Sequence, residues 1–122
     1  MKLRDSLYFV VSKTQTEVES LYTLRMNAES VIYKAHFPGK PITPGVCLVQ
    51  TGIELLSDAS GENLTLCCVK NVKFLSVLHP DSPEIRVLVH KFPEVDGLIK
   101  ARIDIESSGT PVAKMSLLCR RK

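Results

Sequence analysis

Apolar and polar residues alternate along much of this chain, and the alternation predicts a β-sheet. From Ile99 to Glu106 the odd positions are apolar and the even positions are charged, which is typical of a strand with one buried face. Residues 98–106 therefore form one predicted strand. Five further stretches share this pattern or are rich in β-branched and aromatic residues: 7–14, 18–28, 64–77, 85–91 and 111–119. Short turns separate the last strands, so we expect an antiparallel meander.

Two of these stretches carry an additional expectation. Residues 18–28 alternate only in part, so a helix is the alternative to a strand there. Residues 64–77 are long for a single strand, and their apolar positions change phase near Val69. We therefore expect a bend in this strand.

The spacing of apolar residues changes after residue 43, and the change predicts one helix. Thr43 suits the N-cap and Pro44 the first helical position. The apolar positions that follow lie three, four and three residues apart: Val46, Val49, Ile53 and Leu56. Further apolar residues on the other faces predict a helix that is buried nearly all round. We expect it to end near Asp58, with Gly61 close to the C′ position.

These elements predict an α+β fold, with one central helix wrapped by a strongly bent antiparallel sheet of five or six strands. At 122 residues the chain has the size of one domain, and we expect residues 1–122 to form it. No apolar run approaches 18 residues, and the N-terminus has no apolar region typical of a signal peptide. We therefore expect no membrane span and a cytoplasmic location.

Composition narrows the function classes. The net charge is +3, from 16 basic and 13 acidic residues, and there are seven aromatic residues and no Trp. This charge and aromatic content do not support nucleic-acid binding. The four cysteines lack zinc-ligand spacing, so we expect reduced, mostly buried thiols and neither a metal nor a cofactor.

A loop rich in proline and glycine precedes the predicted helix, and it carries a recognisable motif. It reads His36-Phe37-Pro38-Gly39-x-Pro41-x-x-Pro44-Gly45-Val46. The motif, the helix after it and the strands that follow resemble the hotdog-fold 3-hydroxyacyl-acyl carrier protein dehydratases of the FabZ and FabA type. Eight fixed positions within eleven residues make the resemblance specific. It extends over nearly the whole chain.

The resemblance implies an assembly and a set of site residues. Members of this family are dimers whose sheets join edge to edge and whose helices pack together, with the active site in a tunnel at the interface. His36 corresponds to the histidine that removes the proton α to the thioester carbonyl, and the Gly45 N–H to the donor that polarises this carbonyl. Phe37, Pro44 and Val46 would contact the substrate, an acyl thioester on an acyl carrier protein or coenzyme A.

General chemistry agrees with these roles. The α-proton of a thioester is weakly acidic, so its removal needs a positioned base and a stabilised enolate. Histidine has the unperturbed pKa nearest neutrality, and the N–H groups at a helix N-terminus suit an enolate oxygen. An acidic carrier would be steered by basic residues near the tunnel mouth, for which we name Lys40, Arg120 and Arg121. We expect a homodimer or a larger assembly.

The sequence departs from the family pattern at the acid. A carboxylate is expected fourteen residues after the histidine, but this position holds Gln50, and Glu54 follows where the family usually has Gln. Gln has no ionisable proton to donate. Positions four residues apart share a helix face, so the two side-chain types are present in reversed order.

Three interpretations remain open. Glu54 could supply the acid in a working dehydratase, and on this interpretation the protein is an enzyme, which we favour. The site could instead bind an acyl chain, or dehydrate it poorly, because the loss of a general acid costs about 10²- to 10⁴-fold in rate. Gln50 could also suffice for hydratase, isomerase or thioesterase chemistry, of which the thioesterase is the weakest option.

Overall fold

Six strands and two helices form the protein in the computed structural model, which describes residues 2–36 and 39–122. The strands are β1 Tyr8–Gln15, β2 Glu19–Met26, β3 Leu64–Phe74, β4 Ile85–Lys91, β5 Ile99–Ser107 and β6 Thr110–Arg121. The helices are α1 Val31–Ala35 and α2 Gly45–Ser60. All strands belong to one antiparallel sheet with the order β1-β2-β4-β5-β6-β3. The predicted α+β architecture with a sheet of five or six strands is confirmed.

The strand predictions agree with the structure to within a few residues. The predicted strand at 85–91 coincides with β4, and residues 18–28 contain strand β2 and not the alternative helix. Strand β3 ends at Phe74, three residues earlier than predicted, because the chain leaves the ladder where Phe74 pairs with Ala113. The predicted bend in β3 is confirmed: its register against β6 shifts between Leu66 and Cys68 and between Val69 and Asn71, and such shifts bend a strand.

Helix α2 begins one residue later than its sequence signals indicate. Pro44 is the N-cap and Gly45 the first helical residue, whereas the sequence favoured Thr43 as the cap. The Thr43 hydroxyl is engaged elsewhere, in a buried hydrogen bond of 2.7 Å with the Tyr33 hydroxyl, so it does not cap α2. At the other end, Gly61 has the left-handed conformation expected of a C-terminal glycine (φ +67°).

The sheet buries one side of α2 and leaves the other open, so the prediction of a helix buried nearly all round is wrong. The buried residues are Cys47, Leu48, Thr51, Gly52, Leu55, Leu56 and Ala59. On the opposite side Val46 is 70% exposed, and Val49 and Ile53 are half-buried. The sheet can cover only the side that it faces, and the apolar strip on the open side still lacks a cover within one chain. Neither α2 nor any other helix within residues 2–36 and 39–122 is long and apolar enough to cross a membrane.

Helix α1 was not predicted as a helix. We expected only a short apolar piece at Val31 to Tyr33, because five residues are too few for a periodic pattern. The structure shows a local signal: the Ser30 side chain caps the helix by accepting a hydrogen bond from the Ile32 N–H at 3.2 Å. Tyr33 is the buried residue of this helix. Its hydroxyl contacts Thr43, in the loop before α2.

Candidate active site

His36 lies at the C-terminal end of α1, where its backbone N–H donates to the Ile32 carbonyl at 3.0 Å. His36 is exposed to solvent. The position of the predicted base on the protein surface is therefore determined by the end of this short helix. The neighbouring substrate-binding candidate, Phe37, lies outside the described residues.

The loop between His36 and α2 is anchored at its far end. The Tyr33 and Thr43 hydroxyls share a buried hydrogen bond of 2.7 Å, and the Thr43 N–H donates to the Leu78 carbonyl at 2.8 Å. The His79 ring lies 3.2 Å, through Nδ1, from the carbonyl oxygen of Pro41. Burial raises the pKa of Tyr33 still further above neutral pH. These contacts tie the loop both to α1 and to the turn after β3.

Gly45 is the first residue of α2. No described group accepts a hydrogen bond from the Gly45 N–H, as expected for the first residue of a helix. The Phe74 ring lies directly beside this residue, since a Cβ added to Gly45 would stand only 2.7 Å from Phe74 Cζ. Glycine at this position therefore lets the aromatic ring approach the helix N-terminus.

Gln50 and Glu54 are in direct contact on α2. The Gln50 Nε2 donates to Glu54 Oε2 at 3.0 Å. The predicted juxtaposition of these two side chains on one helix face is confirmed, and both are half-buried.

The Glu54 carboxylate also binds the N-terminal segment. Its Oε2 accepts from the Leu3 N–H at 2.7 Å, and its Oε1 accepts from the Arg4 N–H at 2.8 Å and the Tyr8 hydroxyl at 2.9 Å. Together with Gln50, these donors occupy the roughly four acceptor positions of a carboxylate. Burial and the bond to Glu54 raise the pKa of Tyr8, which keeps this hydroxyl a donor. The role of Glu54 as the acid stays a prediction, and this geometry weighs against it.

Asp58 repeats the arrangement one turn later. It accepts from Arg4 Nη1 at 3.0 Å, Lys13 Nζ at 3.0 Å and the Tyr22 hydroxyl at 2.6 Å. Burial alone would raise the pKa of Asp58, but these three donors outweigh it and lower the pKa to about 2. Two carboxylates of α2 thus hold the N-terminal segment and the first two strands against the helix.

A cavity of about 530 Å³ opens along this part of α2. Gln50 and Glu54 line it, together with Lys2 and Lys122. Neither His36 nor Gly45 lines this cavity. The cavity therefore adjoins the Gln50–Glu54 pair but not the predicted base.

The predicted carrier-binding residues do not form one cluster within a chain. Lys40 is exposed in the loop before α2, whereas Arg121 contacts Glu62 just beyond the end of α2, at 2.9 Å, and Glu94 at 2.6 Å. A helix of 16 residues spans about 24 Å, so Lys40 and Arg121 belong to opposite ends of α2. Arg120 is exposed. Of the substrate-binding candidates, Pro44 is half-buried and Val46 is exposed.

The cysteines are free thiols, as predicted, but only two of the four are buried. Cys47 and Cys119 lie in the core, whereas Cys67 and Cys68 are exposed on the edge strand β3. Cys47 packs in the core, and this burial raises the pKa of its thiol. Within residues 2–36 and 39–122, no group of three or more His, Cys, Asp or Glu side chains could hold a metal ion.

Two residues that shape the site were missed in the sequence. Phe74 follows a basic stretch of β3, and nothing local indicates that its ring reaches Gly45, 29 positions earlier. Tyr33 offered a weak signal, because a tyrosine in an apolar segment needs a partner for its hydroxyl when buried. The sequence instead favoured this partner, Thr43, as the N-cap of α2.

The wrapped helix and bent sheet define a hotdog-fold protein. The dehydratase heterocomplex ApeI:P from Xenorhabdus doucetiae has a similar structure, with a TM-score of 0.71 and 18% sequence identity over 93% of this chain and 97% of that one. A hypothetical thioesterase with coenzyme A from Streptococcus pneumoniae is also similar, with a TM-score of 0.66 and 9% identity over 94% of this chain and 85% of that one. At these identities the likeness establishes the fold.

The sequence model of the ApeI-like dehydratases matches residues 12–98, well over half of the 122 residues. This chain belongs to the ApeI-like dehydratase family. It is also 32% identical, over 95 residues, to the 3-hydroxyacyl-[acyl-carrier-protein] dehydratase FabZ of Ligilactobacillus salivarius, an alignment that covers 71% of this chain and 68% of the relative. The resemblance that the histidine motif indicated is confirmed.

Proposed function

We propose that this protein dehydrates 3-hydroxyacyl thioesters to 2-enoyl thioesters, in fatty-acid or related acyl-chain biosynthesis. The observation that carries the proposal is the start of α2: the Gly45 N–H, at the end of the anchored histidine loop, has no acceptor among the described groups. A thioester carbonyl there would receive a hydrogen bond that strengthens as the oxygen gains negative charge. The family membership and the FabZ relative support the same reaction class.

In the proposed reaction His36 takes a proton from Cα of the substrate while the Gly45 N–H stabilises the developing enolate. The C–O bond at Cβ then breaks, and the leaving hydroxyl needs a proton to depart as water. Gln50 has none to donate. We assign this proton to the imidazolium of His36, so that one residue removes and returns it. The products are the 2-enoyl thioester and water, and His36 is neutral again.

The proposed working form has two copies of the chain, as the family resemblance implies. Strand β3 is an edge of the sheet, and an unpaired edge is a template for another strand. Exposed apolar side chains lie on and beyond this edge and on the open side of α2: Val46, Val69, Phe74, Leu75 and Val77. A second copy that joined β3 and packed against α2 would cover them. The acyl group would then lie between the two copies, on acyl carrier protein or coenzyme A.

Gln50 supports a second candidate, a subunit that binds acyl thioesters but depends on a partner for the acid. The similar structure of the ApeI:P heterocomplex shows that this fold occurs in a dehydratase built from different chains. In such an assembly this chain would supply His36 and Gly45, and the other chain a carboxylate near the 3-hydroxyl.

One assay separates the two candidates. Formation of the 2-enoyl thioester from a 3-hydroxyacyl thioester is followed for the wild type, His36→Ala and Gln50→Glu, with thiol release measured in parallel to detect hydrolysis. A dehydratase predicts activity in the wild type and its loss in His36→Ala. Silence in the wild type with activity in Gln50→Glu would instead support the subunit that lacks its acid. Thiol release that depends on His36, without enoyl formation, would overturn both in favour of a thioesterase.

A further inference from the structure

The contact with Glu54 determines which end of the Gln50 amide faces the carboxylate. A carboxylate only accepts hydrogen bonds, whereas a primary amide has a donating NH₂ group and an accepting carbonyl oxygen. The NH₂ group must therefore face Glu54, as it does at 3.0 Å. The carbonyl oxygen, Oε1, is bonded to the same carbon and necessarily points in another direction.

Glu54 is well suited to hold this orientation because it is itself fixed. Three further donors, two of them backbone N–H groups, bind its two oxygens at 2.7–2.9 Å. The Tyr8 ring is fully buried, so the third donor is rigid as well. A carboxylate held by this many groups cannot follow Gln50 into another rotamer without breaking bonds to the N-terminal segment.

We propose that Glu54 is a positioning residue that orients Gln50 so that its carbonyl oxygen accepts the hydrogen of the substrate 3-hydroxyl. This inference rests on the proposed function and defines the roles of the reversed pair. The carboxylate works through the amide and does not touch the substrate. The amide contacts the substrate as an acceptor and not as a donor.

The orientation has a chemical consequence for the hydroxyl. When Oε1 accepts the hydroxyl hydrogen, the lone pairs of the hydroxyl oxygen turn away from Gln50. They are then available to the proton that leaves His36, which lets the C–O bond break with release of water. In the reverse direction the same acceptor would bind a water molecule and turn its lone pair toward Cβ of the enoyl thioester.

The test exchanges the carboxylate for an amide, with 3-hydroxybutyryl-coenzyme A and 3-hydroxydecanoyl-coenzyme A as probes. In Glu54→Gln, the Arg4 N–H and the Tyr8 hydroxyl take the new carbonyl oxygen at the position of Oε1, so the new NH₂ group stands at the position of Oε2, faces Gln50 and forces its amide to turn over. We expect kcat to fall about tenfold, the effect of one misdirected hydrogen bond, with little change in KM. In a Gln50→Leu background the same substitution should leave kcat unchanged, because the residue through which it acts is gone.

Asp58→Asn is the matched control. Asp58 holds the same N-terminal segment through Arg4 but has no hydrogen bond to Gln50, so it should reduce thermal stability and leave kcat unchanged. The proposal is overturned when Glu54→Gln lowers kcat equally with and without Gln50, or when Asp58→Asn lowers it as much.

A spectroscopic measurement on the wild type is independent of turnover. The side-chain NH₂ signals of Gln50, assigned by their loss in Gln50→Leu, should show one proton protected from exchange, the proton that faces Glu54. Unprotected signals at the positions of a free amide would overturn the positioning role. Protected signals in a protein that turns over neither thioester would confirm that Glu54 orients Gln50 but would overturn both the proposed reaction and the role of Gln50 at the 3-hydroxyl.

Discussion

The Phe74 ring touches the helix N-terminus at Gly45, where an added Cβ would lie 2.7 Å from its Cζ. Residue 45 must therefore be small for two reasons that reinforce each other. The proposed function needs the Gly45 N–H to remain accessible to an oxyanion, and the Phe74 ring leaves little room for a side chain at residue 45. The Phe74 side chain is 52% exposed, and its ring nevertheless restricts which side chain residue 45 can carry.

We predict that Gly45→Ala displaces this ring. The stability cost should be about 1 kcal/mol, at the low end for overpacking, because an exposed ring can move. In a Phe74→Leu background the substitution should be neutral or stabilising, since Ala favours helix over Gly. Urea unfolding of the four proteins measures the difference. Gly39→Ala is the control, since no atom of the described residues beyond its chain neighbours lies within 4 Å of an added Cβ there, and equal losses in both backgrounds would contradict the contact.

Tyr33→Phe should loosen the histidine loop. It removes the buried hydrogen bond to Thr43 and leaves the Thr43 hydroxyl without this partner, which costs about 1–3 kcal/mol. Thermal unfolding measures the loss, and enoyl formation should slow as well because the loop carries His36. The double variant Tyr33→Phe/Thr43→Val should recover most of the stability, since both polar groups are then gone. A double variant less stable than either single one would refute this explanation.

Acid should weaken the attachment of the first strands to α2. The pKa of Asp58 is lowered in the folded protein to about 2 from 3.8, so its contribution is complete above about pH 4 and is lost as the pH falls toward 2. Because this carboxylate is partly exposed, the contribution is about 1 kcal/mol.

Asp58→Asn should therefore remove part of the acid dependence of stability. Urea unfolding of wild type and variant at pH 7, 4 and 2.5 gives the free energies. The gap between the two proteins should be largest at pH 7 and narrow below pH 4. A gap that stays constant with pH would show that Asp58 stabilises the fold by packing and not by charge.

Val46→Asp should disrupt the proposed dimer without damaging the fold of one chain. Val46 is 70% exposed on the open side of α2, so a charge is tolerated there only while that side faces water. Light scattering after size exclusion should give the mass of two chains for the wild type and of one chain for the variant. Val11→Asp, at a position 62% exposed on the opposite edge strand β1, should leave the dimer intact. A wild type with the mass of one chain would contradict the proposal.

Charge reversal at Arg120 should affect carrier-borne substrates selectively. Arg120 is exposed and makes no ion pair within the described residues, in contrast to Arg121 with its two carboxylates. Arg120→Glu should lower kcat/KM about threefold to tenfold for a thioester on an acidic carrier protein, mainly at low salt. The coenzyme A thioester should be unaffected, as should either substrate with Arg25→Glu. An equal loss for both substrates would remove Arg120 from carrier recognition.

The strands, the position of α2 and the histidine motif could all be predicted from the sequence, because each depends on neighbouring residues. Period-two alternation marked β5, and the loop from His36 to Gly45 holds its chemistry within ten residues. The four-residue spacing of Gln50 and Glu54 was enough to predict their contact, since helix geometry alone brings such positions together. Gly61 was likewise readable as the helix end.

The partners of Glu54 and the open side of α2 could not be predicted from the sequence, because both depend on contacts between distant segments. The other donors to Glu54 come from Leu3, Arg4 and Tyr8, between 46 and 51 positions away. The open side of α2 looks as apolar in sequence as the buried one, and the side covered depends on how the sheet bends. Local patterns carry no information about contacts of this kind, because they form only when distant segments pack together.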